Sequence, residues 1–145
     1  MIGPRGRDMI RSFESLRLEA YDDGVGVWTI GYGRTSGVVP GMTITSEQAE
    51  RLLDQDLAMA DGGVERLVTA PLNEAMRDAL TSFVFNVGSG ALGKSELLGH
   101  VNARHNFSAA RAFLNFTMAG GRPMRGLLKR RLAEAALYAA DPWPL

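Results

Sequence analysis

The sequence predicts an α+β fold, in which one helix precedes a small antiparallel sheet and a series of helices follows it. Apolar residues recur at helical spacing at both ends of the chain, and a glycine-rich segment between them alternates apolar and polar residues. The 145 residues fit a single domain, 1–145, whose two lobes share a cleft. We expect a small β lobe at about 15–45 and a helical lobe at about 70–145.

The first helix and the sheet are predicted from the first 41 residues. Met9, Ile10 and Phe13 lie on one face of a helix over residues 4–14. Six glycines then fall within residues 24–41, where they interleave with β-branched and aromatic residues. That composition is typical of short strands joined by tight turns.

Helical spacing resumes after the sheet. Thr45 and Gln48 form a capping-box pattern at the start of a long helix, which the pair Gly62-Gly63 is expected to weaken or kink. The next helix ends at Gly88. The remaining predicted helices are short ones over 95–104 and 108–115 and a final one from Pro123 that buries Met124, Leu127, Leu128, Leu132 and Ala135.

Composition excludes several classes of protein. The absence of cysteine rules out disulfide scaffolds, thiolate zinc sites and cysteine nucleophiles, and His100 and His105 are too few for a histidine-built metal site. Sixteen basic and sixteen acidic residues cancel, which argues against a surface that binds nucleic acid throughout. The balance conceals an asymmetry, because residues 41–80 hold eight acidic and three basic residues, whereas residues 101–145 hold seven basic and two acidic ones.

Two carboxyl groups mark a candidate active site. Glu14 falls at the end of the first helix beside Phe13 and Leu16, where the negative helix terminus and the apolar neighbours favour a protonated carboxyl. Asp23 lies in a polar glycine turn, which favours an ionised one. Acid–base cleavage of a glycosidic bond requires two carboxyl groups in such contrasting environments.

A third candidate, Thr29, follows from the two-residue period of a strand. Trp28 and Ile30 point to one face, whereas Thr29 and Gly31 point to the other, so the hydroxyl stands on a face without bulky side chains. A sugar chain can approach such a face closely, with Thr29 orienting a water molecule. Threonine is also common in strands that have no catalytic role, and spacing alone leaves both interpretations open.

Several motifs in order resemble the phage-type lysozymes, or endolysins, of glycoside hydrolase family 24. Glu14, Asp23 and Thr29 match in register a family pattern of glutamate, aspartate nine residues later and threonine six beyond, followed by Ile-Gly-x-Gly. Further similar segments are Leu-Arg-Leu-x-x-Tyr at 16–21, Phe-Val-Phe-Asn-Val-Gly at 83–88 and Gly-Leu-x-x-Arg-Arg at 126–131. The resemblance spans nearly the whole chain.

The resemblance implies a lysozyme-like fold, in which a long helix joins the β lobe to the helical lobe and the active-site cleft lies between them. It also implies hydrolysis of the β-1,4 bond between N-acetylmuramic acid and N-acetylglucosamine in peptidoglycan. Glu14 would protonate the leaving oxygen, Asp23 would activate or stabilise the attack, and Thr29 would hold the water. Tyr32 and Asn86 are candidates for contacting the sugars, and no metal or organic cofactor is required.

Three residues depart from the family pattern. Ser15, Arg34 and Glu96 stand where relatives commonly have glycine, histidine and threonine. If the turn is unchanged, Ser15 has a positive φ; otherwise the helix ends by a different route. Arg34 is expected to form a salt bridge with an acidic residue of the helix at 45–68, and Asp61 and Glu65 are the candidates by position. Such a bridge would persist to high pH.

An arginine of the final helix is predicted to pair with Glu14. Arg131 lies at the edge of the predicted buried stripe, so we expect it to tether Glu14 and to support it electrostatically. Arg130, which is predicted to point more outward, is the second choice.

Two other functions compete with the enzyme. One is a peptidoglycan-binding module that keeps the lysozyme fold with little or no turnover. The other is nucleic-acid binding, which the lack of interleaved aromatic residues disfavours. The basic residues that it would use are Arg122, Arg125, Lys129, Arg130 and Arg131.

The start of the chain shows no apolar segment of the kind that forms a signal peptide or a membrane span. We therefore expect synthesis in the host bacterial cytoplasm and action on the cell wall after a holin-type release. The expected partner is the peptidoglycan glycan strand, bound by a monomer, with no nucleic acid.

Overall fold

The order of elements matches the predicted α+β class. The computed structural model describes residues 2–145, so Met1 of the predicted domain lies outside the described residues. Helix α1 (Pro4–Phe13) precedes strands β1 (Arg17–Asp22) and β2 (Trp28–Gly31). The elements that follow are α2 (Ser46–Leu67), α3 (Glu74–Val87), α4 (Ser89–Gly93), α5 (Glu96–Asn102), α6 (Asn106–Ala112), a 3₁₀ turn (Phe113–Asn115), β3 (Met118–Ala119), β4 (Arg122–Pro123) and α7 (Arg125–Tyr138).

Strands β1 and β2 pair antiparallel to form the small sheet, with Tyr21 opposite Thr29. Residues 42–44 run along the other edge of β1, where the Ala20 amide donates to the Met42 carbonyl at 2.9 Å. The second strand packs on α2. The sheet is therefore fixed to the helix that leads out of the β lobe.

Helix α2 joins the two lobes. The Thr45 hydroxyl accepts from the Gln48 amide at 3.1 Å, and the Gln48 side chain accepts from the Thr45 amide at 2.8 Å, which is the predicted capping box. The helix continues through Gly62-Gly63 without a break. Gly63 lies where α2 passes closely over α4, because a Cβ built there would be 3.0 Å from Ser89 Cβ.

The main hydrophobic core surrounds α3, which packs against α1, α2 and α7. Its largest buried side chains are Met76, Leu80, Phe83, Leu92, Leu97, Phe113 and Tyr138. A smaller cluster, formed by Ile10, Leu53 and Leu57, joins α1 to α2. Two apolar clusters thus hold the elements that border the cleft. The smaller one packs on the first half of α2 and the main core packs on its second half.

The predicted orientation of the final helix is wrong. Met124, Leu128 and Leu132 are 46%, 42% and 49% exposed, although the pattern predicted that they are buried. The residues that α7 buries are Arg130, Arg131, Glu134 and Tyr138. Apolar spacing failed here because the charged side chains have partners on α1 and α3, which offset the cost of burying them.

Two features are absent from residues 2–145. No helix in this range combines the length and the apolar character that crossing a bilayer requires. The same residues hold no cluster of three or more side chains that could bind a metal ion.

Candidate active site

A cleft of about 510 Å³ lies between the β lobe and the helical lobe. The end of α1, the loop after β2, the middle of α2 and the end of α3 supply its walls. Its lining includes the polar residues Glu14, Arg34, Asp56 and Asn86 and the apolar residues Met59 and Phe85. Apolar surface beside a few placed polar groups is typical of a ligand site, and a pyranose ring presents both kinds of surface.

Glu14 occupies the end of α1 and opens into the cleft. Its amide still donates to the Ile10 carbonyl at 3.0 Å, but its backbone is extended, with φ −100° and ψ 128°. Its Oε1 accepts from Arg130 Nη1 at 2.8 Å. Its Oε2 lies against Gly33, where a Cβ would be only 3.2 Å away. The final helix therefore holds one oxygen of the carboxyl, and the loop after β2 leaves little room beside the other.

The chain leaves α1 without a left-handed residue. In the described part of the chain, Arg104 is the one non-glycine residue with a positive φ, so the expectation of a positive φ at Ser15 is wrong. The alternative, a different exit from the helix, is what the extended backbone of Glu14 provides.

The predicted contact between Arg131 and Glu14 is also wrong, since Arg130 makes it. Adjacent residues on a helix differ in direction by about 100°, so only one of the two arginines can face α1. Arg131 faces α3 instead, where its Nη2 donates to Asn86 Oδ1 at 2.9 Å. Burial lowers the pKa of Arg131, an effect that the Glu134 carboxylate opposes.

Asp23 lies in the exposed turn between β1 and β2. Its Oδ1 accepts from the amides of Val25 and Val27 at 3.0 and 3.2 Å. Asp22 accepts in the same way from two glycine amides of the turn. These side-chain bonds shape the turn and hold one oxygen of Asp23, while its Oδ2 makes no hydrogen bond to residues 2–145.

Thr29 and Tyr32 are not part of the cleft lining, and neither is Asp23. The Thr29 hydroxyl donates to the Val27 carbonyl at 3.3 Å. The Tyr32 hydroxyl donates to Glu50 Oε1 at 3.1 Å. Burial and the Glu50 carboxylate raise the pKa of Tyr32, so this hydroxyl keeps its proton. The structure thus brings two predicted residues, Glu14 and Asn86, into the cleft.

A salt bridge joins the loop after β2 to α2 at the edge of the cleft. Arg34 Nη1 lies 3.0 Å from Asp56 Oδ1, so a bridge to this helix is confirmed. The expected partners, Asp61 and Glu65, are wrong because both lie near Arg77 of α3. Burial raises the pKa of Asp56, and the Arg34 guanidinium partly opposes that shift.

Sequence reasoning did not single out Asp56, Met59 or Phe85 as cleft residues. Asp56 and Met59 lie three residues apart on α2, so they share a helix face. Which face of a helix meets a cleft depends on the placement of the other lobe, and the local pattern of α2 carries no such signal.

Comparison with known proteins relates this chain to one family. The family model described as phage lysozyme matches residues 11–134. An endolysin of Acyrthosiphon pisum secondary endosymbiont phage 1 is 39% identical over 141 residues, which are 94% of this chain and 97% of the relative.

Solved structures agree. The endolysin from Escherichia coli O157:H7 phage FAHEc1 superposes with a TM-score of 0.88 at 35% identity, covering 100% of this chain and 97% of that one. The muramidase domain of SpmX from Asticaccaulis excentricus also gives a TM-score of 0.88, at 38% identity over 95% of this chain and 97% of that one. These likenesses confirm both the lysozyme-like fold and the resemblance noted in the sequence. The chain therefore belongs to the phage lysozyme family.

Proposed function

We propose that this protein is a peptidoglycan-hydrolysing lysozyme, a glycoside hydrolase that cleaves the β-1,4 bond between N-acetylmuramic acid and N-acetylglucosamine. The observation that carries the proposal is the Glu14 carboxyl, which opens into the interlobe cleft, accepts a hydrogen bond from Arg130 and lies beside Gly33. A fixed carboxyl beside a glycan-sized cleft supplies the proton that a leaving sugar oxygen needs.

In this mechanism Glu14 protonates the leaving oxygen, and Asp23 activates or stabilises the attack. Thr29 holds the attacking water. The amide-bonded turn supports the role of Asp23, because it fixes one carboxylate oxygen and leaves the other free for that interaction. We propose an inverting geometry, in which the two carboxyl groups lie about 6.5–9.5 Å apart with room for a water.

Asn86 is proposed as a sugar contact from the α3 side of the cleft. Arg131 occupies its Oδ1, which orients the side-chain NH₂ group as the donor left for substrate. For Tyr32 we propose that the ring contacts sugar, since the hydroxyl is engaged with Glu50.

The decisive experiment compares wild type with Glu14→Gln on purified cell-wall sacculi. We expect wild type to release reducing ends, and we expect Glu14→Gln to sediment with the sacculi but to release none. Glu19→Gln, which alters an exposed carboxyl of β1, is the matched control and should retain full activity. Sedimentation without release by wild type would instead support the alternative, a binding module with little turnover.

The proposed partner is the glycan strand, bound by a monomer. The basic cluster considered for nucleic-acid binding has fewer exposed residues than the sequence predicts, because Arg130 and Arg131 are buried. We also propose that the protein is made in the host cytoplasm and reaches the wall through a holin-type lesion. Expression with and without a holin tests this route, since lysis should require the holin.

A further inference from the structure

A buried carboxylate lies behind the cleft, outside the catalytic mechanism proposed above. Glu134 of α7 is fully buried. Its Oε2 accepts from Ser82 Oγ of α3 at 2.6 Å. Its Oε1 lies 2.6 Å from Arg131 Nε, and its Oε2 lies 3.6 Å from Arg130 Nε. One carboxylate therefore lies within ion-pair distance of both Arg130 and Arg131.

The same two arginines reach the cleft at two different points. Arg130 donates to Glu14 at 2.8 Å, and Arg131 donates to Asn86 at 2.9 Å. Aromatic rings of the surrounding elements border both guanidinium groups, because Arg130 lies over Phe13 and Arg131 over Phe83. Arg131 is thus closely ion-paired with Glu134 at one end and bonded to Asn86 at the other, whereas Arg130 is bonded to Glu14 and has a longer ion contact, 3.6 Å, with Glu134.

Stability alone is a poor explanation of this arrangement. Replacement of buried ion pairs by apolar residues of similar volume is often neutral or stabilising. Burial raises the pKa of Glu134, while Arg131, Ser82 and Arg130 oppose the rise, so the ionised form depends on its neighbours. Helix α7 also leaves Leu128 and Leu132 exposed while it buries these charges. The buried face of α7 thus favours directed contacts over apolar burial.

We propose that Glu134 is a positioning residue, which fixes Arg130 and Arg131 together and through them sets the catalytic acid Glu14 and the sugar contact Asn86. This inference rests on the proposed function. Two cleft residues that lie far apart in the sequence thereby depend on one buried carboxylate. Loss of that carboxylate should affect catalysis and binding at the same time.

The test is Glu134→Gln, assayed for kcat and KM on a soluble peptidoglycan fragment. Glutamine keeps the shape but removes the negative charge that lies beside both guanidinium groups. We expect kcat to fall about tenfold or more, because small displacements of a reacting group are costly, and KM to rise. The positive charge of Arg130 and Arg131 is then uncompensated, and it favours the ionised form of the nearby proton donor. The alkaline limb of the pH–kcat profile should therefore move to lower pH.

Two further variants separate the two branches. Arg130→Lys shortens the reach to Glu14 and should lower kcat more than it raises KM. Arg131→Lys weakens the support of Asn86 and should raise KM more than it lowers kcat. A merely structural role for the network predicts no such division.

Asp78→Asn is the matched control for burial. Asp78 is a fully buried carboxylate on α3 that accepts from the Gly3 and Gly6 amides, and it does not line the cleft. Glu134→Gln and Asp78→Asn are both assayed at temperatures below the onset of unfolding. We expect Asp78→Asn to lose stability while it keeps the wild-type kcat, KM and pH profile.

The proposal is overturned if Glu134→Gln, like Asp78→Asn, changes stability alone while wild type is active. Inactive wild type would count against the proposed function instead. If Glu134→Gln does not fold, Ser82→Ala removes only the hydroxyl that binds Glu134. Wild-type kcat and KM in folded Ser82→Ala would equally overturn the proposal, whereas a change in both would support it.

Discussion

The position of the Glu14 carboxyl depends on Gly33, which lies beside it in the cleft lining. Gly33 has a φ of 92°, which favours glycine. Its lack of a side chain also leaves space for the Glu14 carboxyl, because a Cβ at this position would lie 3.2 Å from Glu14 Oε2. Two physical reasons for glycine therefore coincide at one position, and they can be separated by experiment.

Gly33→Ala should lower both activity and stability. The left-handed backbone costs an alanine on the order of 1–2 kcal/mol, and the new methyl group displaces the carboxyl, which should slow turnover about tenfold. Gly37→Ala is the control, because Gly37 has a φ of 73° in the same loop but no atom within 4 Å of its Cβ position. Equal activity of the two variants would contradict the steric argument. Urea unfolding and reducing-end release measure the two effects.

Ser15 and Arg104 should respond to glycine with opposite signs. Ser15→Gly should lose a few tenths to about 1 kcal/mol, because glycine adds entropy to the unfolded chain and no left-handed backbone is relieved. Arg104 has a φ of 62°, so in Arg104→Gly the relief of strain, on the order of 1–2 kcal/mol, should exceed that loss and stabilise the protein. Free energies of unfolding measure both variants. A stabilised Ser15→Gly would restore the left-handed interpretation that the backbone of this structure contradicts.

At the level of single residues, the sequence predicts identity better than contact. The place of Glu14 in the cleft could be predicted, because its spacing to Asp23 and Thr29 is a local property of the chain. The choice between Arg130 and Arg131 could not be made, because the tether spans 116 residues and depends on the rotation of α7.

At the level of elements, α2 shows how a glycine pair can serve one close approach. Gly62 has no atom within 4 Å of its Cβ position, whereas a Cβ at Gly63 would lie 3.0 Å from Ser89 Cβ and 3.5 Å from Val84. The sequence predicts a weak point at this pair, but only the packing of α4 distinguishes its members.

Gly62→Ala should stabilise the protein by about 0.5–1 kcal/mol, because alanine is the better helix former and has room there. Gly63→Ala should destabilise it, because α2 and α4 must separate to admit the methyl group. Thermal unfolding of the two single variants checks the signs. A gain in both would mean that the contact with Ser89 is soft.

The final helix marks where prediction by pattern ends. Capping signals located the start of α2, and Asn73 and Gly88 located the two ends of α3, because those signals are local. The buried face of α7 is set instead by Ser82, Asn86 and Glu14, which lie on other elements. No periodicity within residues 125–138 contains that information.

At the scale of the whole molecule, polar contacts cross between elements that border the cleft. Arg130 of the helical lobe holds Glu14, and Arg34 of the β-lobe loop holds Asp56 of α2 over a separation of 22 residues. The second bridge fixes the loop to the connecting helix, so its charge state affects how firmly the two are joined.

Arg34→His should make stability depend on pH in the neutral range. Arginine stays charged, so the wild-type bridge does not weaken as pH rises from 6 to 8. Beside Asp56, the pKa of the introduced histidine should lie above its unfolded value of about 6.5, so its contribution is complete below that value and is lost as pH rises through the folded pKa. We expect the variant to lose on the order of 1 kcal/mol of unfolding free energy relative to wild type across this range. Arg34→Lys, which keeps a permanent charge, should show the flat wild-type profile, and a flat profile for Arg34→His would mean that the bridge contributes nothing to the joining of loop and helix.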